Sequence, residues 1–189
     1  DYQMVAGNSQ DVEVSDSIWM LTRARLPWLI FGLFGGLGAA AIMGTFEDMI
    51  SKHAVLFFCT PLIAAMAGNV GVQSSAIVVQ GLANDDLKGS VRNHLLKEML
   101  LALLNGFILA ILLLLFTWIW KGAFATALAI SLSLIVVIVV AGFIGTFIPL
   151  FLHKRNIDPA IATGPFITTS NDIFGILIYF WIAKIILGI

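Results

Sequence analysis

The sequence has few charged residues, because Asp, Glu, Lys and Arg make up only 11% of its 189 positions. Soluble globular domains carry roughly 25%. Hydrophobic residues account for 60% of the chain, and the mean hydropathy is +1.02. Too few polar side chains are present to cover the surface of a soluble fold. We therefore predict an all-α integral membrane protein that forms a single helical bundle.

Cysteine clusters and positive net charge are also missing from the sequence. The single cysteine, Cys59, cannot form an intrachain disulfide, and it lacks the cysteine and histidine neighbours that a zinc site requires. We interpret it as a small buried hydrophobic residue. The formal net charge of -1 and the lack of a basic stripe argue against nucleic acid as a partner.

Five apolar segments approach the roughly 20 residues that a helix needs to cross a membrane. The third and fourth consist largely of Leu, Ile, Val and Phe, and we predict that they form the scaffold. Small residues in membrane helices commonly pack against other helices, so we predict contacts at Gly32, Gly35, Gly36 and Gly38 of the first segment. The segments lie near Pro27–Gly44, Ala54–Leu82, Met99–Trp120, Phe124–Leu152 and Pro159–Leu187.

Lys and Arg are distributed unequally between the connections. Positive residues are retained on the cytoplasmic side of a membrane, and this bias predicts a cytoplasmic N-terminus and an external C-terminus. In that orientation the outer connections hold only Lys52 and Lys121, whereas the inner ones hold Arg23, Arg25, Lys88, Arg92, Lys97, Lys154 and Arg155.

Residues 1–17 differ from the rest of the chain, because they are polar and acidic and contain Gly7 and Asn8, which interrupt any helix. The chain starts without methionine or a signal peptide, so we expect a fragment of a longer protein. We interpret residues 1–17 as the remnant of a cytoplasmic connecting segment and residues 18–189 as the membrane domain. A disordered chain end is the alternative interpretation.

One acidic residue, Asp172, lies inside the apolar fifth segment. A carboxylate at the centre of a membrane costs roughly 2.5–3.5 kcal/mol on insertion scales. The nearest basic residue on that segment, Lys184, lies about 18 Å further along a helix, and Asp172 itself lies about 20 Å beyond Pro159. Asp172 is therefore expected near mid-membrane without a basic partner, where it would bind a cation, carry a proton or serve in catalysis.

The second and fifth segments both interrupt their apolar character with polar residues. The run AGNVGVQSS at 67–75 follows a proline, and TTSND at 168–172 follows a Gly-Pro pair. Such interruptions are tolerated where the backbone lines a watery cavity. Residues four apart share a helical face, which aligns Asn69 with Gln73, and Gly164 and Thr168 with Asp172. Thr168 has a second interpretation, a bond to a backbone carbonyl freed near the proline.

The available ligand atoms are oxygens, which hard divalent cations prefer. No thiolate or histidine cluster accompanies them, which disfavours zinc and copper. Mg²⁺ usually retains several waters, so a sparse site with one carboxylate per chain suits it. Two chains related by a two-fold axis would supply two Asp172 carboxylates and match the charge of one divalent ion.

These segments resemble the transmembrane domain of the MgtE family of magnesium channels. The similarity lies in RLPWL at 25–29, FE at 46–47, PLIAAMAGNVGVQSSAIVVQGLA at 61–83 and DPAIATGPFITTSNDIFGILIYF at 158–180. The resemblance implies a homodimer in the bacterial cytoplasmic membrane, with a Mg²⁺ pathway at the subunit interface lined by the second and fifth helices. It also implies cytoplasmic N-terminal and CBS domains that this chain lacks.

The resemblance places the key intramembrane aspartate at Asp172. Many members carry an asparagine where this chain has Val72, and some carry a polar residue at the position of Gly164. Together with the helical alignment, the resemblance predicts a Mg²⁺ site formed by Asp172, Asn69, Gly68, Gln73, Thr168 and Gly164.

We therefore predict a Mg²⁺ channel or transporter that moves Mg²⁺ into the cytoplasm, and no enzymatic activity. The alternative is a proton-coupled divalent cation exchanger that uses the same aspartate. An intramembrane aspartyl protease needs two carboxylates that share a proton, whereas only one acid lies deep in a predicted span. A purely structural membrane subunit predicts that no cation conductance depends on Asp172.

Overall fold

The structure, a computed structural model, describes residues 6–84, 90–162 and 164–188. Across these ranges the chain forms six α-helices and no β-strand. All of them except the short α2 are long and apolar enough to cross a membrane. The prediction of an all-helical chain with five spans is thus confirmed for the described residues. The helices are α1 (Ile18–Thr45), α2 (Glu47–Lys52), α3 (Ala54–Ala83), α4 (Val91–Lys121), α5 (Phe124–Lys154) and α6 (Pro165–Leu187), and a 3₁₀ turn at Pro159–Ala162 precedes α6.

Two of the spans begin earlier than hydropathy predicts. The helix α1 starts at Ile18 instead of near Pro27, and α4 starts at Val91 instead of near Met99. Each follows a serine, Ser17 or Ser90, whose hydroxyl accepts a hydrogen bond from a backbone N–H of the first turn at 3.3 Å. Such a cap starts a helix at a polar residue, whereas hydropathy marks only the apolar part of the span.

The fifth span begins later than predicted, at Pro165 rather than Pro159. Gly164 has φ 55° and ψ -122°, a non-helical conformation that is accessible to glycine, and Pro165 occupies the first turn of α6. The 3₁₀ turn before this break is therefore separate from α6. Distances along the fifth span must be counted from Pro165.

The helix α5 lies at the centre of the bundle. It packs against α3, α4 and α6. Within its most apolar stretch of 18 residues, 56% are buried inside the chain. The helix α1 is peripheral, because it packs mainly against α6 and only 6% of its most apolar 18-residue stretch is buried. Glycines on α1 contribute to this contact: Gly35 lies against Thr169 and Gly38 approaches Ile173, whereas Gly36 has no neighbour within 4 Å of an added Cβ atom. Within the chain, the predicted glycine contact is thus found for Gly35 and Gly38 and not for Gly36.

The ends of the helices group into two opposite faces of the bundle. Ser74 near the end of α3 contacts Glu98 near the start of α4, while Lys121 at the end of α4 lies over the Phe58 ring near the start of α3. The first face carries Arg23, Arg25, Arg92, Lys97, Lys154 and Arg155, and the second carries Lys52, Lys121 and Lys184. Lys88, also predicted on the first face, lies outside the described residues.

Part of the N-terminal segment packs against the bundle. The backbone N–H and the hydroxyl of Ser9 donate to the carbonyl of Ala24, at 2.9 and 2.7 Å. Gly7 is buried, has φ +85° and lies against Pro165 at the start of α6. Residues 6–9 thus contact both the first and the last span.

Candidate functional site

A cavity of about 410 Å³ lies between α3 and α6. It contains five of the six residues predicted from the sequence, and an apolar wall completes it. The lining residues are Ala64, Ala65, Gly68, Asn69, Val72, Gln73, Thr168 and Asp172. The two interrupted segments therefore come together in one place, and among the described residues that line the cavity Asp172 alone has an ionisable side chain.

The carboxylate of Asp172 lies beside bare backbone of α3. A Cβ atom added to Gly68 would be 3.8 Å from Asp172 Oδ1 and 3.4 Å from Thr168 Cγ2. Gly68 is itself buried, whereas Asp172 is half-buried and open to the cavity. The glycine thus allows α6 to approach α3 closely and leaves the carboxylate accessible from the cavity.

The depth of Asp172 follows from its neighbour in α3. Because α6 begins at Pro165, Asp172 lies only about 10 Å along that helix, and the distance of about 20 Å expected from Pro159 is wrong. Gly68, however, lies close to the midpoint of α3, which runs from Ala54 to Ala83. The Asp172 carboxylate is therefore level with the middle of α3, a candidate membrane-spanning helix.

The carboxamides of Asn69 and Gln73 lie on the open side of the cavity. Both residues are exposed in the single chain, and so is Val72 between them, at 37%. Unsatisfied polar groups in hydrocarbon cost several kcal/mol each. Contact with water or with another protein surface therefore suits these two side chains better than contact with lipid.

Gly164 and Thr168 were expected to share one face of a continuous helix. In the structure Gly164 precedes the helix and only Thr168 lies within it. The N–H and the hydroxyl of Thr168 both donate to the carbonyl of Gly164, each at 3.0 Å. This carbonyl bond is the second interpretation considered for Thr168. Gly164 does not line the cavity of Asp172; it borders a neighbouring cavity of about 770 Å³, which Thr168 also lines. With two hydrogen bonds already accepted, the Gly164 oxygen is poorly placed to serve as a ligand.

The two cavity walls are held together by a contact that we did not predict. Asn171 is only 1% exposed and lies directly against Gly71, and Gly71 in turn contacts Gly145 of α5. A Cβ atom at either glycine would overlap its neighbour. The side-chain nitrogen and oxygen of Asn171 have no hydrogen-bond partner among the described residues. The position of Asn171 next to Asp172 was the only signal available in the sequence.

A second acidic residue also lies within a span. Glu98 belongs to α4, and its Oε1 atom is 2.6 Å from the hydroxyl of Ser74 in α3. Glu98 was not counted within a span from the sequence, because the hydropathy boundary at Met99 excluded it by one position. The helix in fact begins at Val91.

One chain supplies an incomplete set of ligands for a cation. The described residues contain no group of three or more His, Cys, Asp or Glu side chains able to hold a metal ion. The cavity combines one carboxylate with two carboxamides and a hydroxyl. Such neutral oxygens suit a hydrated Mg²⁺ ion, whose waters donate hydrogen bonds to them.

Comparison with known proteins shows what this chain is similar to. Residues 60–182 match the MgtE family, which is described as a divalent cation transporter. The magnesium transporter MgtE of Bacillus subtilis is 36% identical over 184 residues, which is 97% of this chain and 41% of that protein. The protein of the same name from Enterococcus faecalis is 36% identical over 185 residues, with the same shares. The one from Thermus thermophilus is 30% identical over 172 residues, which is 90% of this chain and 37% of that protein.

The chain therefore spans less than half the length of these relatives. Their names describe transport of magnesium and no enzymatic reaction, in agreement with the prediction of a transporter rather than an enzyme.

Proposed function

The chain belongs to the MgtE family, and we propose that it forms the membrane domain of a transporter that passes Mg²⁺ through the cavity around Asp172. The observation that carries this proposal is the convergence of Asp172, Asn69 and Gln73 on one open cavity, at the level of the middle of α3. The carboxylate supplies the charge that attracts the cation. The carboxamides and the hydroxyl of Thr168 accept hydrogen bonds from its water shell.

We propose that the working unit is a homodimer in which this cavity faces its copy. A single Asp172 carboxylate balances half the charge of a divalent ion, and Asn69 and Gln73 are exposed in the single chain. A two-fold axis beside the cavity covers these carboxamides and brings a second carboxylate to the pathway. The exposed outer surface of α4 then remains for lipid.

We propose an orientation with the N-terminus in the cytoplasm and conduction inward. Of the described Lys and Arg residues, six lie on the face of the bundle that contains the start of α1 and three lie on the other face, and positive residues are retained inside. A membrane potential that is negative inside favours cation entry by about 2.3 kcal/mol per charge per 100 mV. We propose the cytoplasmic membrane of a bacterium as the location, with residues 1–17 as a cytoplasmic connecting segment.

The test is Mg²⁺ uptake into proteoliposomes that contain the chain, measured with an internal Mg²⁺-sensitive dye under an imposed potential. We expect Asp172→Asn to abolish Mg²⁺ uptake, because the substitution keeps the shape of the side chain and removes its charge. The variant should still elute as a folded protein in gel filtration. Asp11→Asn, the same change at an exposed residue, is the control and should transport normally.

Normal uptake by Asp172→Asn would refute the role of the cavity. The same vesicles also address proton-coupled exchange: if uptake at fixed voltage required a pH gradient, Asp172 would act in exchange instead of in a channel.

A further inference from the structure

Glu98 is a carboxylate within a candidate membrane-spanning helix, and the proposed pathway does not use it. It lies two turns inside α4, is half-buried, and does not line the cavity of Asp172. A carboxylate at this depth is costly, so its presence requires a compensating interaction. That interaction is with Ser74 of α3, whose Oγ atom lies 2.6 Å from Glu98 Oε1.

The geometry of Ser74 allows this contact in either protonation state of Glu98. The Ser74 hydroxyl lies 2.6 Å from the carboxylate and 2.9 Å from the carbonyl of Val70. A hydroxyl has a single hydrogen and two lone pairs. With Glu98 ionised, Ser74 donates to it. With Glu98 protonated, Glu98 donates to Ser74, which then donates to Val70. The link between the two helices persists in both cases.

The third helix at this point, α5, leaves room for the carboxylate. A Cβ atom added to Gly142 would lie 3.2 Å from Glu98 Oε1 and 3.3 Å from Ala102 Cβ. The carboxylate is thus enclosed by α3 on one side and by α5 on the other. Since α3 and α4 share few other contacts, the hydrogen bond to Ser74 is a principal tie between them.

Ser74 is adjacent in sequence to a residue of the cation cavity. Its side chain is 3% exposed and points into the bundle, whereas the Gln73 side chain lines the cavity. Adjacent residues on a helix point about 100° apart. A restraint on Ser74 therefore limits rotation of α3 about its axis, and that rotation determines where Gln73 and, one turn earlier, Asn69 point.

We propose that Glu98 is a positioning residue, which sets the rotation of α3 through Ser74 and thereby holds the carboxamides of Asn69 and Gln73 at the cation pathway. This inference rests on the proposed function. It assigns Glu98 no contact with the ion. Its effect is on how well the pathway holds hydrated Mg²⁺, and not on the charge that attracts the ion.

The experiment measures the half-saturating Mg²⁺ concentration and the maximal uptake rate in proteoliposomes, normalised to the amount of folded protein. Loss of groups that orient ligands typically costs 10–100-fold in metal affinity or activity, so we expect Glu98→Leu to raise the half-saturating concentration about tenfold. Glu98→Gln should stay within about twofold, because its carboxamide can donate to or accept from Ser74. Lys97→Leu removes a charge from the neighbouring exposed position and should change nothing.

Ser74→Ala removes the same hydrogen bond from the other helix and serves if Glu98→Leu does not fold. It should also raise the half-saturating Mg²⁺ concentration. The double variant Glu98→Leu/Ser74→Ala should have a half-saturating concentration no higher than that of the more impaired single variant, because both substitutions remove one interaction. An additive double variant would overturn the inference, and so would a Gln variant as impaired as the Leu variant.

The inference is also overturned if Glu98→Leu and Ser74→Ala lower only the yield of folded protein and leave the half-saturating concentration unchanged. Failure of the proposed function gives a different result, in which the wild-type chain takes up no Mg²⁺ or Asp172→Asn behaves like wild type.

Discussion

Substitution of Gly71 by alanine tests how the cavity walls are held together. A Cβ atom at this position would overlap Asn171 Nδ2 and lie 2.8 Å from Ile167 Cγ2. Both neighbours belong to α6 and are buried, so neither can move away freely. Overpacking of this kind costs typically about 1–3 kcal/mol. We therefore expect Gly71→Ala to destabilise the protein and to push α3 away from α6.

The control is the same substitution at Gly36 on α1, where an added Cβ atom meets nothing within 4 Å. Replacing glycine by alanine inside a helix favours folding by up to about 1 kcal/mol, and this gain is common to both variants. Their difference therefore isolates the overlap. At about 2–4 °C per kcal/mol for a chain of this length, Gly71→Ala should melt roughly 2–12 °C below Gly36→Ala.

The assay is thermal unfolding of the purified protein in detergent, followed by fluorescence-detected gel filtration, with Mg²⁺ uptake measured on the same samples. The double variant Gly71→Ala/Asn171→Ala removes the carboxamide that is overlapped and should recover more than half of the lost stability, because only the closer approach to Ile167 remains. Equal melting of the Gly71 and Gly36 variants would refute the packing argument. A double variant no more stable than Gly71→Ala would exclude Asn171 as the cause.

Three further predictions concern other parts of the chain. Tyr179→Phe removes the hydrogen bond from the Tyr179 hydroxyl to the carbonyl of Leu56, 2.9 Å long, and should lower the unfolding free energy by about 1 kcal/mol; an unchanged melting temperature would contradict this role. Gly7→Ala places a side chain at φ +85° and should release the N-terminal segment, so that a glutamate-specific protease cleaves after Glu13 faster than in wild type; equal rates would count against its docking. Gln73→Cys combined with Cys59→Ala should form disulfide-linked dimers in membranes on mild oxidation if the cavity faces its copy, whereas monomers alone would argue against that interface.

Much of the bundle follows from local properties of the sequence. Long apolar runs identify five spans because a buried backbone in lipid must satisfy its hydrogen bonds within a helix. The convergence of Asn69 and Gln73 with Asp172 follows from spacing and from the polar character of two otherwise apolar segments. Each of these features depends on one or two helices, so it can be recognised without knowing how the helices pack.

The features that the sequence did not predict depend on backbone geometry and on contacts between distant helices. Gly164 takes a positive φ, which separates it from α6, and no periodicity in the sequence reports such a conformation. Glu98 was excluded because hydropathy averages over a window and the helix extends past the apolar part to its Ser90 cap. Asn171 packs on Gly71 only because α3 and α6 cross at that level, and such a crossing depends on the whole bundle.

The two acidic residues within the spans differ in what surrounds them, and this difference supports a division of roles. Glu98 has a hydroxyl at 2.6 Å and lies against Gly142, so its carboxyl group has a hydrogen-bond partner within the chain. Asp172 is open to a cavity whose other polar groups are neutral. Across a two-fold axis, two such open carboxylates repel each other unless a cation lies between them. We therefore expect Mg²⁺ to stabilise the proposed dimer as well as to pass through it, and removal of the ion to loosen the contact at Asp172 while leaving the tie between Glu98 and Ser74 intact.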